Sequence, residues 1–213
     1  MNILFDLDGT LTDPQEGIVT CIRYALEKLS RNPDEYANLQ RFIGPPLLAS
    51  FEELLGCAAE AESALQLYRD RFSAVGLFEN HVYDGIEESL DALAAHGHRM
   101  LVATAKPRVF ALRILEHFGL ASYFTGIYGS ELDGRLSDKA ELIAHIVQQE
   151  QLETATTLMI GDRSYDIVGA KANALRSIGV LWGYGSRAEL SRAAADALCE
   201  SPPDLFPLIN SIT

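Results

Sequence analysis

Met1-Asn2-Ile3-Leu4-Phe5-Asp6-Leu7-Asp8-Gly9-Thr10 opens the chain. Ile3, Leu4 and Phe5 form a short apolar run suited to a buried parallel strand, and charge follows it at once. A strand of that kind delivers acidic side chains to a sheet edge. Side chains alternate along an extended chain, so Asp6 and Asp8 would share a face. Gly9 then permits a tight turn at positive φ. Two carboxylates so close repel, and one takes up a proton unless a cation lies between them. Oxygen ligands alone point to a hard cation such as magnesium.

Outward from this stretch, two patterns separate. From Asp13 to about Phe78 the chain reads as helical. Asp13 is a plausible N-cap and Pro14 a first-turn residue. Ile18, Val19, Ile22, Ala25, Leu26 and Leu29 then recur at helical spacing. Further helices are expected over about 47–55, after Gly44-Pro45-Pro46, and over about 60–74. From Val82 onward, strands and helices alternate. Helices are expected over 86–95, 107–118, 140–149 and 167–173. Strands are expected over 99–104, 126–129, 156–160 and 177–181. Alternation of this kind implies a parallel sheet covered on both faces, with Met1–Leu7 supplying a further strand. The fold class is therefore α/β, with one domain formed by 1–13 and 82–213 and a helical insertion over 14–81.

The composition bounds the function. At 213 residues with formal charge −13, the chain lacks the clustered Lys and Arg that nucleic-acid polymers require. A small anionic substrate remains compatible, because a metal and one or two lysines can reverse the field inside a cleft. Cys21, Cys57 and Cys199 are odd in number and without ligand spacing, and read as small buried hydrophobes in a reducing compartment. No signal peptide and no stretch of about 18 apolar residues is visible, so the expectation is a cytoplasmic protein that does not enter a membrane.

In parallel sheets of this type, chemistry gathers beyond the carboxyl ends of the strands. The first expected strand ends in Asp6 and Asp8. The next ends in Thr104, with Ala105-Lys106-Pro107 opening a helix. Ser137-Asp138-Lys139 follows the third at a helix start, where a lysine opposes the helix dipole unless Asp138 offsets it. The fourth ends in Gly161-Asp162, with Asp166 four residues on, on the same side of a first helical turn.

These residues carry a resemblance to the haloacid dehalogenase-type phosphatases, which use an aspartate nucleophile. Four of that family's motifs stand in order: Asp6-Leu7-Asp8-Gly9-Thr10, Thr104, Lys139, and Gly161-Asp162-Arg163-Ser164-Tyr165-Asp166. Phe42-Ile43-Gly44-Pro45-Pro46, Ala103-Thr104-Ala105-Lys106-Pro107 and Gly179-Val180-Leu181-Trp182-Gly183-Tyr184-Gly185 resemble the phosphoglycolate phosphatase and 5'-nucleotidase-like branch. The resemblance implies a Rossmann-like core with a small helical cap, and a Mg2+-dependent phosphomonoester hydrolase. Asp6 would be the nucleophile and Asp8 the proton carrier. Thr104, the Ala105 amide and Lys139 would hold the phosphoryl group. The metal set would be Asp6, Asp8 through its backbone carbonyl, Asp162, and Asp166 directly or through water. The cap would choose a small phosphomonoester, with phosphoglycolate and nucleoside 5'-monophosphates unranked.

Lys106, weighed against a surface lysine, and Arg41, beside Gly44-Pro45-Pro46, are further candidate anion contacts. The five histidines show no metal spacing, and Trp182 and Tyr184 read as core packing. Two alternatives stand beside hydrolysis. A sugar phosphomutase of similar build tends to carry Glu where this chain has Gly161. A receiver-type signalling module also surrounds a phosphorylated Asp with acids, Thr and Lys, but has no large inserted cap.

Overall fold

The computed structural model describes residues 1–212. In chain order the elements begin with β1 (Asn2–Phe5), β2 (Thr12–Asp13), α1 (Gln15–Lys28), α2 (Leu47–Leu55), α3 (Ala58–Arg71) and β3 (His81–Val82). Then come α4 (Ile86–Ala95), β4 (Arg99–Pro107), α5 (Arg108–His117), β5 (Gly126–Ser130), α6 (Lys139–Gln149) and β6 (Thr157–Gly161). The chain closes with α7 (Ser164–Ala172), β7 (Arg176–Val180), α8 (Arg187–Arg192), β8 (Ala197–Cys199) and α9 (Leu205–Ile212).

Two compact units divide the chain: residues 1–12 with those from Val82 onward, and Asp13–His81. The first is built on a six-stranded sheet in the order β5-β4-β1-β6-β7-β8. All its pairings are parallel. β1 is central because its residues are apolar on both faces. Leu4 joins Leu101, Ala103 and Met159 in a core completed by Leu142, Ile143 and Ile146 of α6 and Ala170 of α7. Ile3, Phe5, Met100, Val102, Leu158 and Ile160 are as deeply buried, so neither face of these strands meets water. The chain leaves β1 toward β4 and β5, then returns to its other side at β6. This reversal makes the carboxyl ends of β1, β4 and β6 the natural place for a site.

The Asp13–His81 unit contains α1, α2 and α3. α1 buries Ile18, Cys21, Ile22, Ala25 and Leu26, the stripe its spacing demands. Phe51 meets Tyr68 edge-on, and Tyr68 stacks on Phe72. Arg71 grips Glu79 with both amino groups at 2.7 and 2.8 Å.

Several boundaries move. Pro14 is the N-cap of α1, and the Asp13 carboxylate accepts from the Gln15 amide at 3.0 Å. β4 continues through Pro107, so Ala105-Lys106-Pro107 belong to the strand and do not open a helix. Its pairing with β5 shifts register between Thr104 and Pro107, a bulge that holds Ala105 and Lys106 outside the ladder. Cys21 and Cys199 are buried, but Cys57 is exposed ahead of α3. Elements the spacing did not reveal are β2, β3, α8, β8 and α9. Among the described residues, no helix is long and apolar enough to cross a membrane.

Candidate active site

β1 ends at Phe5, and the chain turns immediately. The amides of Thr10, Leu11 and Thr12 all return to the Leu7 carbonyl, while Gly9 takes φ +79° and donates to the Thr12 carbonyl. The loop coils tightly, so Asp6 and Asp8 point to different partners and do not share an extended face. Gly9 is required here: a Cβ at this position would lie 2.3 Å from Asp162 Oδ2.

Asp6, Asp162 and Asp166 converge, with one carboxylate oxygen from each lying within 4.8 Å of the others. All three side chains are buried, Asp162 completely. Lys139, the first residue of α6, enters this cluster from beneath β4. Its ammonium lies 3.0 Å from Asp6 Oδ1 and 2.7 Å from Asp166 Oδ1, and donates to the Ala103 carbonyl at 2.9 Å. Asp138 caps the same helix by accepting from the Ala140 and Glu141 amides, which offsets the cost of a lysine at a helix start. Burial alone would depress the Lys139 pKa, but Asp166 and Asp6 outweigh it and hold the ammonium charged.

Asp8 stands apart from the three-carboxylate cluster. Its Oδ2 lies 3.0 Å from Lys106 Nζ, and both side chains are buried. Lys106 is therefore buried beside Asp8, which rules out the surface-lysine alternative. Burial raises the Asp8 pKa, Lys106 opposes that shift, and Asp6 adds to it.

Asp162 precedes α7, with Arg163 as N-cap, and does not share its first turn with Asp166. Asp162 Oδ2 accepts from the Tyr184 amide at 2.7 Å. Its Oδ1 is buried without a hydrogen-bond partner among the described residues. Burial, then the charges of Asp166 and Asp6, raise its pKa well above the carboxylate range. Asp166 is raised for the same first reason, with Lys139 opposing. A buried, unpartnered carboxylate oxygen beside two further carboxylates is costly unless it takes up a proton or a cation joins it.

That geometry fits a hard divalent ion. Four buried carboxylates, Asp6, Asp8, Asp162 and Asp166, face two buried ammonium groups, Lys106 and Lys139. A divalent cation would offset the charge of the three clustered carboxylates, and all-oxygen donors suit a hard ion.

Thr104, at the mouth of β4, uses its hydroxyl oxygen to accept from the Lys106 amide at 3.2 Å. The Ser130 hydroxyl donates to the Ala105 carbonyl at 2.8 Å, fixing the bulge from β5. Arg41 lies in the Asp13–His81 unit, paired with Glu53 at 3.0 Å on an exposed face. The sequence reading missed the Tyr184 amide and the burial of Lys106. It read Tyr184 as core packing, whereas its backbone serves Asp162. The glycines on either side were the available signal: a Cβ on Gly183 would lie 2.5 Å from the Asp162 Cβ.

Residues 3–180 match the haloacid dehalogenase-like hydrolases. The chain belongs to that family. A 5'-nucleotidase of Pseudomonas aeruginosa is 50% identical over 211 residues, covering 99% of this chain and 96% of that protein. A Mycobacterium tuberculosis protein named tyrosine-protein kinase PtkA is 38% identical over 86% of this chain and 62% of its own length. A phosphoglycolate phosphatase of Vibrio parahaemolyticus is 25% identical over 97% of this chain and 95% of its own. The crystal structure of a predicted phosphatase from Clostridium acetobutylicum superposes with TM-score 0.92 at 45% identity, covering 99% of this chain and 98% of that one.

Proposed function

We propose that this hydrolase cleaves small phosphomonoesters through a phosphorylated Asp6, with nucleoside 5'-monophosphates ahead of phosphoglycolate as substrates. The observation that carries the reading is the buried Asp6–Asp162–Asp166 cluster with Lys139 at 3.0 Å from Asp6. The ranking of substrates rests on the 50% identity to a 5'-nucleotidase, against 25% to a phosphoglycolate phosphatase.

Each residue has a task that its surroundings support. The Asp6 carboxylate needs no base to become a nucleophile; it needs charge neutralisation and in-line placement. It forms a bond to phosphorus as the ester P–O bond breaks. Asp8, whose burial favours the protonated form, gives its proton to the leaving alkoxide oxygen. The resulting Asp8 carboxylate then takes a proton from water as that water attacks phosphorus and frees Asp6. Lys106 holds Asp8 in place throughout. Lys139 neutralises Asp6 and the phosphoryl oxygens. Mg2+, held by Asp6, Asp162, the Asp8 carbonyl and, directly or through water, Asp166, would supply the remaining positive charge. The Asp13–His81 unit serves as the cap that selects the substrate, and it is there that Arg41 would meet an anion.

Thr104 accepts from the Lys106 amide with one lone pair, which orients its hydroxyl, and its proton would be donated to a phosphoryl oxygen. A hydrogen bond to a charged group is worth about 1.5–3 kcal/mol. Thr104→Val therefore lowers kcat/KM by roughly 10- to 150-fold, while Thr104→Ser stays within a few-fold of the parent. Steady-state kinetics on one good substrate decide it.

The test of the whole reading is a substrate panel scored as relative kcat/KM. It includes nucleoside 5'-monophosphates, phosphoglycolate and, given the kinase-named relative, phosphotyrosine. Nucleoside monophosphates are expected to rank first. Chelation of divalent metal abolishes turnover, and Mg2+ restores it. Undiminished turnover in chelator removes the metal from the scheme, and a panel with no hydrolysed member removes the activity.

A further inference from the structure

The segment after β7 grips the acidic cluster in a way that the reaction itself does not use. Trp182 Nε1 donates to the Thr10 carbonyl at 3.0 Å. The Tyr184 amide donates to Asp162 Oδ2. A Cβ on Gly185 would lie 1.8 Å from the Asp162 carbonyl oxygen, so the backbones touch with no room for a side chain. The chain then enters α8, and Glu189 stands in its first turn.

A glutamate three residues beyond a serine N-cap ordinarily reaches back to its own helix start. Glu189 instead reaches across to the loop between β6 and α7. Its Oε1 accepts from Arg163 Nε at 3.0 Å and from the Ser164 amide at 2.9 Å. Arg163 and Ser164 directly follow Asp162, and the Arg163 amide in turn donates to Asp166 Oδ2 at 3.1 Å. One carboxylate oxygen thus holds the two residues that join Asp162 to the helix carrying Asp166. Burial pushes the Glu189 pKa up, but the Ser164 amide and Arg163 hold it below the usual carboxylate range. α8 has a separate anchor in Leu190, which is fully buried beside Gly179 of β7.

We propose that Glu189 is a positioning residue for Asp162 and Asp166: by clamping Arg163 and Ser164 it sets how tightly the cluster binds its divalent cation. This rests on the metal assignment proposed above. Groups that orient metal ligands from behind typically change affinity by about 10- to 100-fold when removed.

The experiment measures binding of Mn2+, a hard-oxygen stand-in for Mg2+, through the paramagnetic signal of the free ion. The metal-free proteins compared are the parent, Glu189→Ala, Glu189→Gln and Arg187→Ala. The last breaks the exposed pair that Arg187, on the same helix as Glu189, makes with Glu200 beyond β8. Glu189→Ala is expected to bind about 10- to 100-fold more weakly with a metal-free melting temperature near the parent's. Glu189→Gln keeps an acceptor for the Ser164 amide and falls between, about threefold to tenfold weaker than the parent. Arg187→Ala binds as the parent does. Glu189→Ala binding within twofold of the parent overturns the inference. If Glu189→Ala does not fold, Glu189→Gln within twofold of the parent overturns it instead. A parent that binds no Mn2+ overturns the metal assignment itself, an outcome distinct from the other two.

Discussion

On the proposed mechanism, Asp6→Asn is expected to abolish turnover of every phosphomonoester, lowering kcat by at least about 10^4-fold, the scale on which covalent nucleophiles act, and to leave the fold intact. The amide has nearly the shape of the carboxylate but cannot form the acyl phosphate. The structure explains why folding survives. Lys139 keeps Asp166 at 2.7 Å and the Ala103 carbonyl at 2.9 Å, and one of three mutually repelling carboxylates is gone. In the metal-free protein the substitution is therefore close to neutral for stability, and a urea titration in chelator checks that half. Mass spectrometry of acid-quenched parent should detect one added phosphoryl group on the peptide carrying Asp6, absent from the variant. Retained turnover in Asp6→Asn sinks the nucleophile assignment. Loss of turnover with the phosphoryl group still trapped elsewhere would move it to another residue.

The features most legible in the chain were those with period and punctuation. The apolar run before Asp6 became the central strand, and the expected helix over 86–95 is α4 to the residue. Strands alternating with helices announced a parallel sheet, which is what the pairings show. Short elements escaped. α8 spans six residues and β8 three, too few for a period of 3.6 or 2 to register. Ala105-Lys106-Pro107 read as a helix entrance because proline favours a first turn. The pairing with β5 instead carried the strand past a bulge to Pro107.

In the site, residue types could be read but partners could not. Asp6 and Asp8 are two apart in sequence, so alternation placed them on one face. The turn at Leu7 and Gly9 sent one to Lys139 and the other to Lys106. Which lysine serves which aspartate depends on the sheet order, with β4 next to β1, and no local pattern encodes that order. Position 161 shows the reverse. Its glycine, noted as a departure from the phosphomutases, has a steric reason: a Cβ there would sit 2.2 Å from Asp166 Cγ. With Asp166 in this place a glutamate at 161 has no room, which weighs against the mutase alternative. Membership of a hydrolase family weighs against the receiver alternative.

Lys139→Met separates the two things that Lys139 does. Its ammonium is buried, faces Asp6 and Asp166 at once, and is held charged by them. A raised lysine pKa means that its stabilising contribution is fully present at neutral pH and is lost only as pH climbs through the folded-state value. Methionine keeps most of the volume and removes the charge, leaving two buried carboxylates without their shared cation. Breaking a buried ion pair from one side costs about 3–5 kcal/mol, read as a lower urea midpoint for the metal-free protein. Catalysis falls further, because the missing charge acts where phosphoryl oxygens and Asp6 must approach each other; loss of one such group costs about 10^2- to 10^3-fold in kcat. Lys139→Met/Asp166→Asn distinguishes the effects. Removing one of the two carboxylates that Lys139 faced is expected to return part of the stability, since each of them contributed to the cost. It returns none of the turnover, since no cation is restored beside Asp6. Mg2+ should also stabilise Lys139→Met more than the parent, because the ion is then the main cation facing three carboxylates. Recovery of activity in the double variant would show that Lys139 acts only by supporting the fold. A double variant no more stable than Lys139→Met would show that Asp166 is not charged in the folded protein.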